Sequence, residues 1–532
     1  MNGLLDHGSF REILGPEARV ISPHLALFDL PPAFDDGMII GRGTLNGQPV
    51  AIAAQEGQFM GGTFAEVSGA KLVGLLRAAA TAAGTAQAVS TVFLLLDTGG
   101  VRLQEANAGE MAVSETVRAV LEARSAGVPV IALIGGRAGA FGGGGIVTAC
   151  CSHVIISEQG RISISGPEVI ETNKGAEEFD SRDRALVWRV TGGRSRALLG
   201  GADSYVKGDV ASFRQAAAIT RNTLPDFSLA TLDAEQKRLE DRLNAYGDCV
   251  IRPRYGRAPV LMLPRAYLNS VTTLSSLCLP RRDTPMAPAE LLAALFPEGH
   301  NVTPGAENTL LGTATVKNET VAVLGITDAT PLSPEIAITL AGSVLDIIRA
   351  GQKTPIILLI DTASQRMTRR DEMLGLNEYL GHLAKVITLA GARGHRTVAL
   401  LYGTAAAGAF IATALATQTL IALDGAHPSV MDLPSIARVT KLPLDVLTEK
   451  AASTPIFAPG VAPLAATGAV AEVWTAADGP LAPRLATVLA TPATKDTRDA
   501  LGAERGGRKQ AHDIASRVEA AFLEATAGEG TI

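Results

Sequence analysis

Apolar runs and polar breaks alternate along the chain in an order that occurs twice. "GRGTLNGQPVAI" from Gly41 and "GTATVKNETVAV" from Gly312 each read as a hairpin, turning at Asn46-Gly47 and at Asn318-Glu319. Helical stretches ending in arginine follow, around "KLVGLLRAA" and "GSVLDIIRA". Each leads to a solid apolar run, "TVFLLLDTGG" or "PIILLIDTAS", closing on Asp97-Thr98 and Asp361-Thr362. A second helical stretch and a second buried strand come next, "VPVIALIGGRAGAFGGGG" and "TVALLYGTAAAGAFIATA". These share the tetrapeptide Ala-Gly-Ala-Phe, at Ala138 to Phe141 and at Ala407 to Phe410.

Strands alternating with helices predict βαβ units and sheets covered by helices. The fold class is therefore α/β, with two tandem copies of one domain. The boundary is expected near "LPRRDTPMAPAE", Leu279 to Glu290, where proline and charge interrupt the pattern. That divides the chain into a first domain over 1–280, a linker over 281–290 and a second domain over 291–532. A charged, partly helical tail from Lys495 is assigned no chemistry.

Composition narrows the class. A chain of 532 residues is too long for one ordinary core. With 47% hydrophobic and 19% charged residues it reads as a folded α/β protein, not a disordered one. A net charge of -6 offers no electrostatic footprint for nucleic acid. "MNGLLDHGSF" lacks the basic and apolar regions of a secretory signal, so a cytoplasmic protein is expected. Thr397 to Leu423 carries no charge and is long enough to span a bilayer. It is rich in Ala, Thr and Gly, contains Gln418, and has a first-half counterpart broken by Arg137; a buried strand–loop–helix–strand fits it better, and no membrane contact is expected. Cys150, Cys151, Cys249 and Cys278 form no C-x-x-C pair, which argues for buried reduced thiols over a zinc or redox site.

The familiar catalytic signatures are absent: no G-x-S-x-G, H-E-x-x-H, Walker A or strand-borne G-x-G-x-x-G occurs. His153, in "CCSHVIIS", reads as a core residue. Glu105, Glu110 and Glu115 could be acid–base groups, but most read as the solvated face of a helix. What stands out is "GRAGAFGGGG", Gly136 to Gly145. Glycine inside a helix costs about 1 kcal/mol relative to alanine, so packing propensity does not explain this run. It makes sense if a helix starts near Gly139 and a ligand approaches its first turn, where free N–H groups point outward. "DTGGVRLQE", Asp97 to Glu105, adds a second glycine pair at the C-terminal end of the preceding strand, the edge where α/β sheets bind ligands. Two such loops can direct two N–H groups at one oxygen, forming an oxyanion hole. "DTASQR" and "GTAAAGAF" repeat the construction downstream.

These residues resemble a known family. "LDHGSFREI", "GRGTLNGQPVAI", "DTGGVRLQEA" and "SGPEVIE" look like the β half of acyl-CoA carboxyltransferases of the crotonase superfamily, and "DTASQRMTRRDEMLGLNEYLGHLAK" with "GTAAAGAF" looks like the partner half. "GPEVIETNKGAEEFDSRDRALVWRVTGG", Gly166 to Gly193, and "LLGGADSYV" are similar to the β subunit of biotin-independent malonate decarboxylase, and the second half to its γ subunit. The chain thus resembles a β–γ fusion over most of residues 5–475. It departs from the carboxyltransferases in lacking the N-terminal zinc ribbon of some β halves and a biotinyl Met-Lys motif, and in having Ala363 where their Asp-Thr-Pro-Gly pattern has proline.

The resemblance implies two tandem crotonase-like, carboxyltransferase-type domains. It implies decarboxylation of a malonyl thioester carried on an acyl carrier protein, with a separate transferase subunit exchanging acetyl for malonate. The carrier's arm is a phosphoribosyl-dephospho-CoA group, for which CoA is a mimic; the chain itself is expected to bind no cofactor and no metal, and to form a homodimer. Oxyanion donors are expected at Gly99, Gly100 and Val101 with Gly139 and Ala140. Gly408 and Ala409 would hold the departing carboxylate or a proton-delivering water. Gly135, Gly136, Ser165, Gly166, Thr362 and Ala363 would line the substrate site. Arg102 would touch the carrier's phosphates or form a structural ion pair. The alternatives are a biotin-dependent carboxyltransferase or decarboxylase half, a hydratase using Glu105 and Glu110, and a scaffold with degenerate sites.

Overall fold

The structure is a computed structural model that describes residues 1–220, 224–247, 249–250, 263–264, 286–493 and 495–524. It contains two seven-stranded sheets built alike. The first runs in chain order through β1 (Arg11–Ile13), β2 (Met38–Leu45), β3 (Gln48–Gln55), β4 (Val92–Leu95), β5 (Val130–Ile134), β6 (His153–Ser157) and β7 (Ser204–Val206). The second runs through β8 (Thr303–Pro304), β9 (Thr309–Val316), β10 (Glu319–Ile326), β11 (Ile356–Ile360), β12 (Thr397–Leu401), β13 (Thr419–Leu423) and β14 (Glu472–Trp474). In each sheet the first three strands are antiparallel and the rest parallel. The central parallel strands are buried along their whole length, as in β5, β11 and β12, because helices cover both sides.

The hairpins show how local chemistry sets register. Asn46 (φ 51°) and Gly47 (φ 73°) form the left-handed two-residue turn, and the Asp6 carboxylate accepts both of their N–H groups at 3.0 and 2.8 Å. In the second half Lys317 (φ 46°) and Asn318 (φ 62°) make the turn, and Val316 pairs with Glu319. The turn therefore lies one residue earlier than the sequence suggested. Glu298 decides this by accepting the N–H groups of Lys317 and Asn318, both at 3.0 Å.

The halves share one hydrophobic core. Helix Gly143–Cys150 lies against helix Leu376–Ala392, where an added Cβ on Gly381 would sit 2.5 Å from that of Ala149. Helix Leu229–Tyr246 crosses to the second half, its Arg242 paired with Glu378 at 2.5 Å. The tail clamps the first half: helix Ala511–Glu524 packs on helix Glu66–Ala82 so closely that a Cβ on Gly74 would lie 2.7 Å from the Ala515 carbonyl. Arg508 grips Glu115 through both carboxylate oxygens, at 2.6 and 2.7 Å, and Arg77 pairs with Asp499 at 2.7 Å.

Thr397 to Leu423 folds as strand, short strand, helix Ala407–Ala412 and strand, and among the described residues no helix is long and apolar enough to cross a membrane. Cys150 and Cys151 are buried free thiols; the Cys249 side chain and Cys278 lie outside the described residues, as do positions 279–285 of the expected boundary.

Candidate functional site

Each half carries an aspartate just past the end of a central strand, and that carboxylate shapes the loop beyond the next strand. Asp97 accepts the N–H groups of Ala138 (2.6 Å) and Gly139 (2.9 Å). Asp361 accepts those of Thr404 (2.8 Å) and Ala329 (3.0 Å) and the Thr404 hydroxyl (3.0 Å). A side chain at Gly136 would collide with the Asp97 carboxylate, and one at Gly403 with that of Asp361.

The flanking hydrogen bonds match. Thr98 N–H donates to the Gly139 carbonyl (2.7 Å) and Thr362 N–H to that of Thr404 (2.8 Å). Arg102 N–H donates to Phe64 and Arg366 N–H to Leu332, both at 2.8 Å. Val101 therefore corresponds to Gln365, and Gly142-Gly143 to Ala407-Gly408. The shared Ala-Gly-Ala-Phe is not equivalent in space: Ala138 to Phe141 corresponds to Gly403 to Ala406, four residues earlier than the identical letters. Small residues packed on backbone do not fix a register; the aspartate's bonds do.

The first-half donors divide into two groups. Gly99 N–H donates to the Gly61 carbonyl (2.8 Å), Gly100 N–H to the Thr98 hydroxyl (3.1 Å) and Ala140 N–H to the Arg161 carbonyl (2.8 Å). With Gly139 held by Asp97, these amides build the loops. The helix expected near Gly139 begins instead at Gly143, because Asp97 and Arg161 hold 138–140 in a turn. Val101 and Gly143 have N–H groups with no acceptor among the described residues. They adjoin. Gly100 (φ 113°) and Gly142 (φ 56°) pack backbone to backbone, and a Cβ on Gly142 would be 3.0 Å from Gly100 Cα and 4.0 Å from the Val101 nitrogen. Glycine takes both φ values freely and, without a side chain, lets the two loops approach this closely.

In the second half Ala407 holds a left-handed φ of 49° in the place of Gly142. Gly408 N–H is taken by the Gln365 side-chain oxygen at 3.0 Å, while the Gln365 amide donates to the Ser165 hydroxyl at 3.3 Å. Ala409 follows in the first turn of the short helix. Ile164 joins the two loops: a Cβ on Gly145 or on Gly408 would lie 3.2 Å from one of its methyl carbons. The loop at Ile164 is held from the second half by Glu372, which accepts the Ser163 hydroxyl (2.6 Å), Ile164 N–H (3.0 Å) and Ser165 N–H (2.6 Å). Burial raises the Glu372 carboxyl above its ordinary range against the pull of those donors.

The other expected residues take varied places. Gly166 caps helix Pro167–Lys174. Thr362 is buried and donates its hydroxyl to the Thr330 carbonyl (2.7 Å), and Ala363 is half-buried in the position of Gly99. Gly135 leaves room for Phe213, 2.7 Å from where a Cβ would stand. Arg102 is 1% exposed and paired with Asp36 (2.7 Å) and Glu105 (3.0 Å), so it fills the structural role and does not face a carrier's phosphates. Burial outweighs that pairing at Asp36, whose carboxyl is pushed up to about 6.

The three glutamates are not a solvated face. Glu105, Glu110 and Glu115 are all buried, because helix Ala106–Ser125 is covered by helices of both halves. Glu105 binds Arg102 and the Ser22 hydroxyl, and Glu115 binds Arg508. Glu110 has no cationic partner among the described residues; burial pushes its carboxyl up to about 8. His153 is half-buried, its ring 2.8 Å from the Ser204 hydroxyl. Gly143, Gln365, Glu372 and the two organising aspartates were missed as site residues. The repeated Asp-Thr dipeptide was the available signal for the last pair.

Sequence comparisons divide the chain as its sheets do. A family described as "Malonate decarboxylase gamma subunit" matches residues 327–522, and one described as "Carboxyl transferase domain" matches residues 1–191. The malonyl-S-ACP:biotin-protein carboxyltransferase MADC of Malonomonas rubra is 40% identical over 224 residues, 40% of this chain and 70% of that protein. MADD of the same organism, with the same printed description, is 26% identical over 257 residues, 42% of this chain and 87% of that protein. Among solved structures, a Pseudomonas malonate decarboxylase hetero-tetramer in complex with malonate is 41% identical, covering 49% of this chain and 90% of that one, with a TM-score of 0.43.

Proposed function

Because the chain belongs to the carboxyltransferase family that includes malonate decarboxylase subunits, we propose that it decarboxylates malonyl-S-(acyl carrier protein) to acetyl-S-(acyl carrier protein) and CO2. Loss of CO2 from a malonyl thioester leaves an enolate whose charge collects on the thioester oxygen. Donors already in place around that oxygen lower the barrier without reorganising. The observation that carries this reading is the pair of N–H groups of Val101 and Gly143, without acceptors among the described residues and brought together by the packing of Gly100 on Gly142. The second-half loop at Gly408 and Ala409, with Gln365, stands one side chain away across Ile164 and suits the departing carboxylate.

In this reading the thioester arrives on a carrier protein's phosphoribosyl-dephospho-CoA arm, with CoA as a mimic, and a separate transferase subunit loads malonate. The chain works in the cytoplasm as a homodimer. A second reading, transfer of the carboxyl group to a biotin protein, is favoured by the printed names of MADC and MADD. One experiment separates the two: malonyl-carrier thioester is incubated with the purified chain alone and followed by mass spectrometry, with and without avidin. Acetyl thioester forming in the presence of avidin supports decarboxylation; turnover that requires an added biotin protein establishes transfer.

A further inference from the structure

Helix Ala106–Ser125 runs beneath the first glycine loop. A Cβ on Gly109 would lie 2.7 Å from Val101 Cγ1 and 3.4 Å from the Arg102 nitrogen, and a Cβ on Gly143 would lie 2.5 Å from a methyl carbon of Val113. Glu110 falls between these two contacts, on the helix face turned to the second half. Three residues before it, Asn107 donates to the carbonyls of Pro455 (2.7 Å) and Ala458 (2.8 Å); two turns after it, Arg118 donates to that of Leu415 (2.6 Å). Burial raises the Glu110 carboxyl and outweighs the opposing pull of the Ala407 N–H, from the second-half counterpart of Gly142. Glu110 is 1% exposed, and its Oε1 has no hydrogen-bond partner among the described residues.

A buried carboxyl left without a cation is costly and unusual unless it stays protonated. The charged groups of the elements packed on this helix are engaged elsewhere. On helix Glu66–Ala82, Glu66 meets His24, Lys71 the Met38 carbonyl and Arg77 Asp499. On helix Leu376–Ala392, Glu378 meets Arg242, and His382 and Lys385 meet Glu235. On its own helix, Glu115 meets Arg508, Arg118 Asp496 and Arg124 the Cys150 carbonyl. Glu110 is thus a buried acid at the seam of the two loops, with no cationic partner among the described residues.

We propose that Glu110 is the acid that protonates the enolate, an inference that rests on the decarboxylation reading. As the bond between the α-carbon and the carboxylate breaks, its electron pair moves into the enolate and CO2 leaves. The Glu110 O–H then gives its proton to the α-carbon, forming the acetyl methyl group. The Glu110 carboxylate recovers a proton from water before the next turnover. An acid in this role must carry its proton, so kcat should hold below about pH 8 and fall tenfold per unit above it.

The test uses the full chain and its Glu110→Gln variant, which keeps shape and neutrality. Malonyl-carrier thioester reports kcat and KM across pH, and acetyl-carrier thioester in D2O reports exchange of the methyl hydrogens. The expected result is a kcat roughly 10²–10⁴-fold lower in Glu110→Gln, with KM little changed, the alkaline limb gone and methyl exchange lost. A folded Glu110→Gln protein with wild-type kcat and the same alkaline limb overturns the proposal. Wild-type chain that releases no CO2 from the malonyl thioester instead overturns the decarboxylation reading beneath it, a distinct outcome. Glu110→Asp keeps the acid at shorter reach and should recover part of the lost rate; no recovery, together with Tm values lowered equally in both variants, points to a packing role and counts against it.

Discussion

The two glycine loops are one design carried out with different side chains. In the first half, Gly100, Gly142 and Gly143 strip the backbone bare, and two N–H groups are left without acceptors among the described residues. In the second half, Ser364, Ala407 and Gly408 take the same places, and the side chain that replaces Val101, Gln365, turns back and occupies the Gly408 N–H. The aspartates, the strand ends and the flanking ladder are common to both. The difference teaches that the scaffold sets where amides point, while one side-chain choice decides whether they stay open to a substrate. In the proposed reaction the first loop would stabilise charge and the second would position the substrate.

The sharpest way to break that comparison is to remove one first-half N–H. Gly143→Pro does so at the first helical position, where proline is favoured, and Gly142 is achiral enough to precede it. Val113→Ala belongs in the same protein, because a Cβ at 143 meets Val113. Relative to Val113→Ala alone, kcat should drop roughly 10²–10³-fold with little change in Tm. An unchanged kcat would place the oxyanion elsewhere.

A second substitution distinguishes loop-building amides from open ones. Ala140→Pro removes a donor that already binds the Arg161 carbonyl and leaves that acceptor without its partner, at a cost of about 1–3 kcal/mol. It should lower Tm by several degrees, and the activity it loses should follow the loss of folded protein. A stable Ala140→Pro enzyme with a specific kcat defect would return the donor role to Ala140.

Gln365→Ala probes the other side. It frees Gly408 N–H and cuts the tie to Ser165. KM for the malonyl thioester should change by less than about tenfold, roughly one to one and a half kcal/mol of interaction, and kcat by less. A loss as large as that of Gly143→Pro would erase the functional distinction between the loops.

The smallest effect is on stability. Folding raises the Glu110 carboxyl to about 8, so this group's contribution is fully present below the ordinary carboxylate range and is lost as pH climbs towards 8. Glu110→Gln has no proton to lose, so the Tm of the wild type should fall relative to the variant between pH 5 and pH 8. Parallel Tm curves would show that the carboxyl is not isolated in the folded state.

The sequence by itself determined the α/β class, the tandem repeat and the glycine-rich edge, because these rest on periodicity and on residues such as Gly and Asp-Thr whose local preferences are strong. It could also place the family, through the long run from Gly166 to Gly193. Tertiary structure alone decided which amides stay open. Gly139 and Ala140 look as bare in the sequence as Gly143, yet Asp97, 41 or 42 residues away, and Arg161 consume them. Three glutamates at or along a helix look solvated until the fold buries them, and Glu115 finds its cation, Arg508, from nearly four hundred residues away, while Glu110 finds none among the described residues. A hydrogen bond or an ion pair is a fact about two places at once, and a pattern read along one strand of chain holds only one of them.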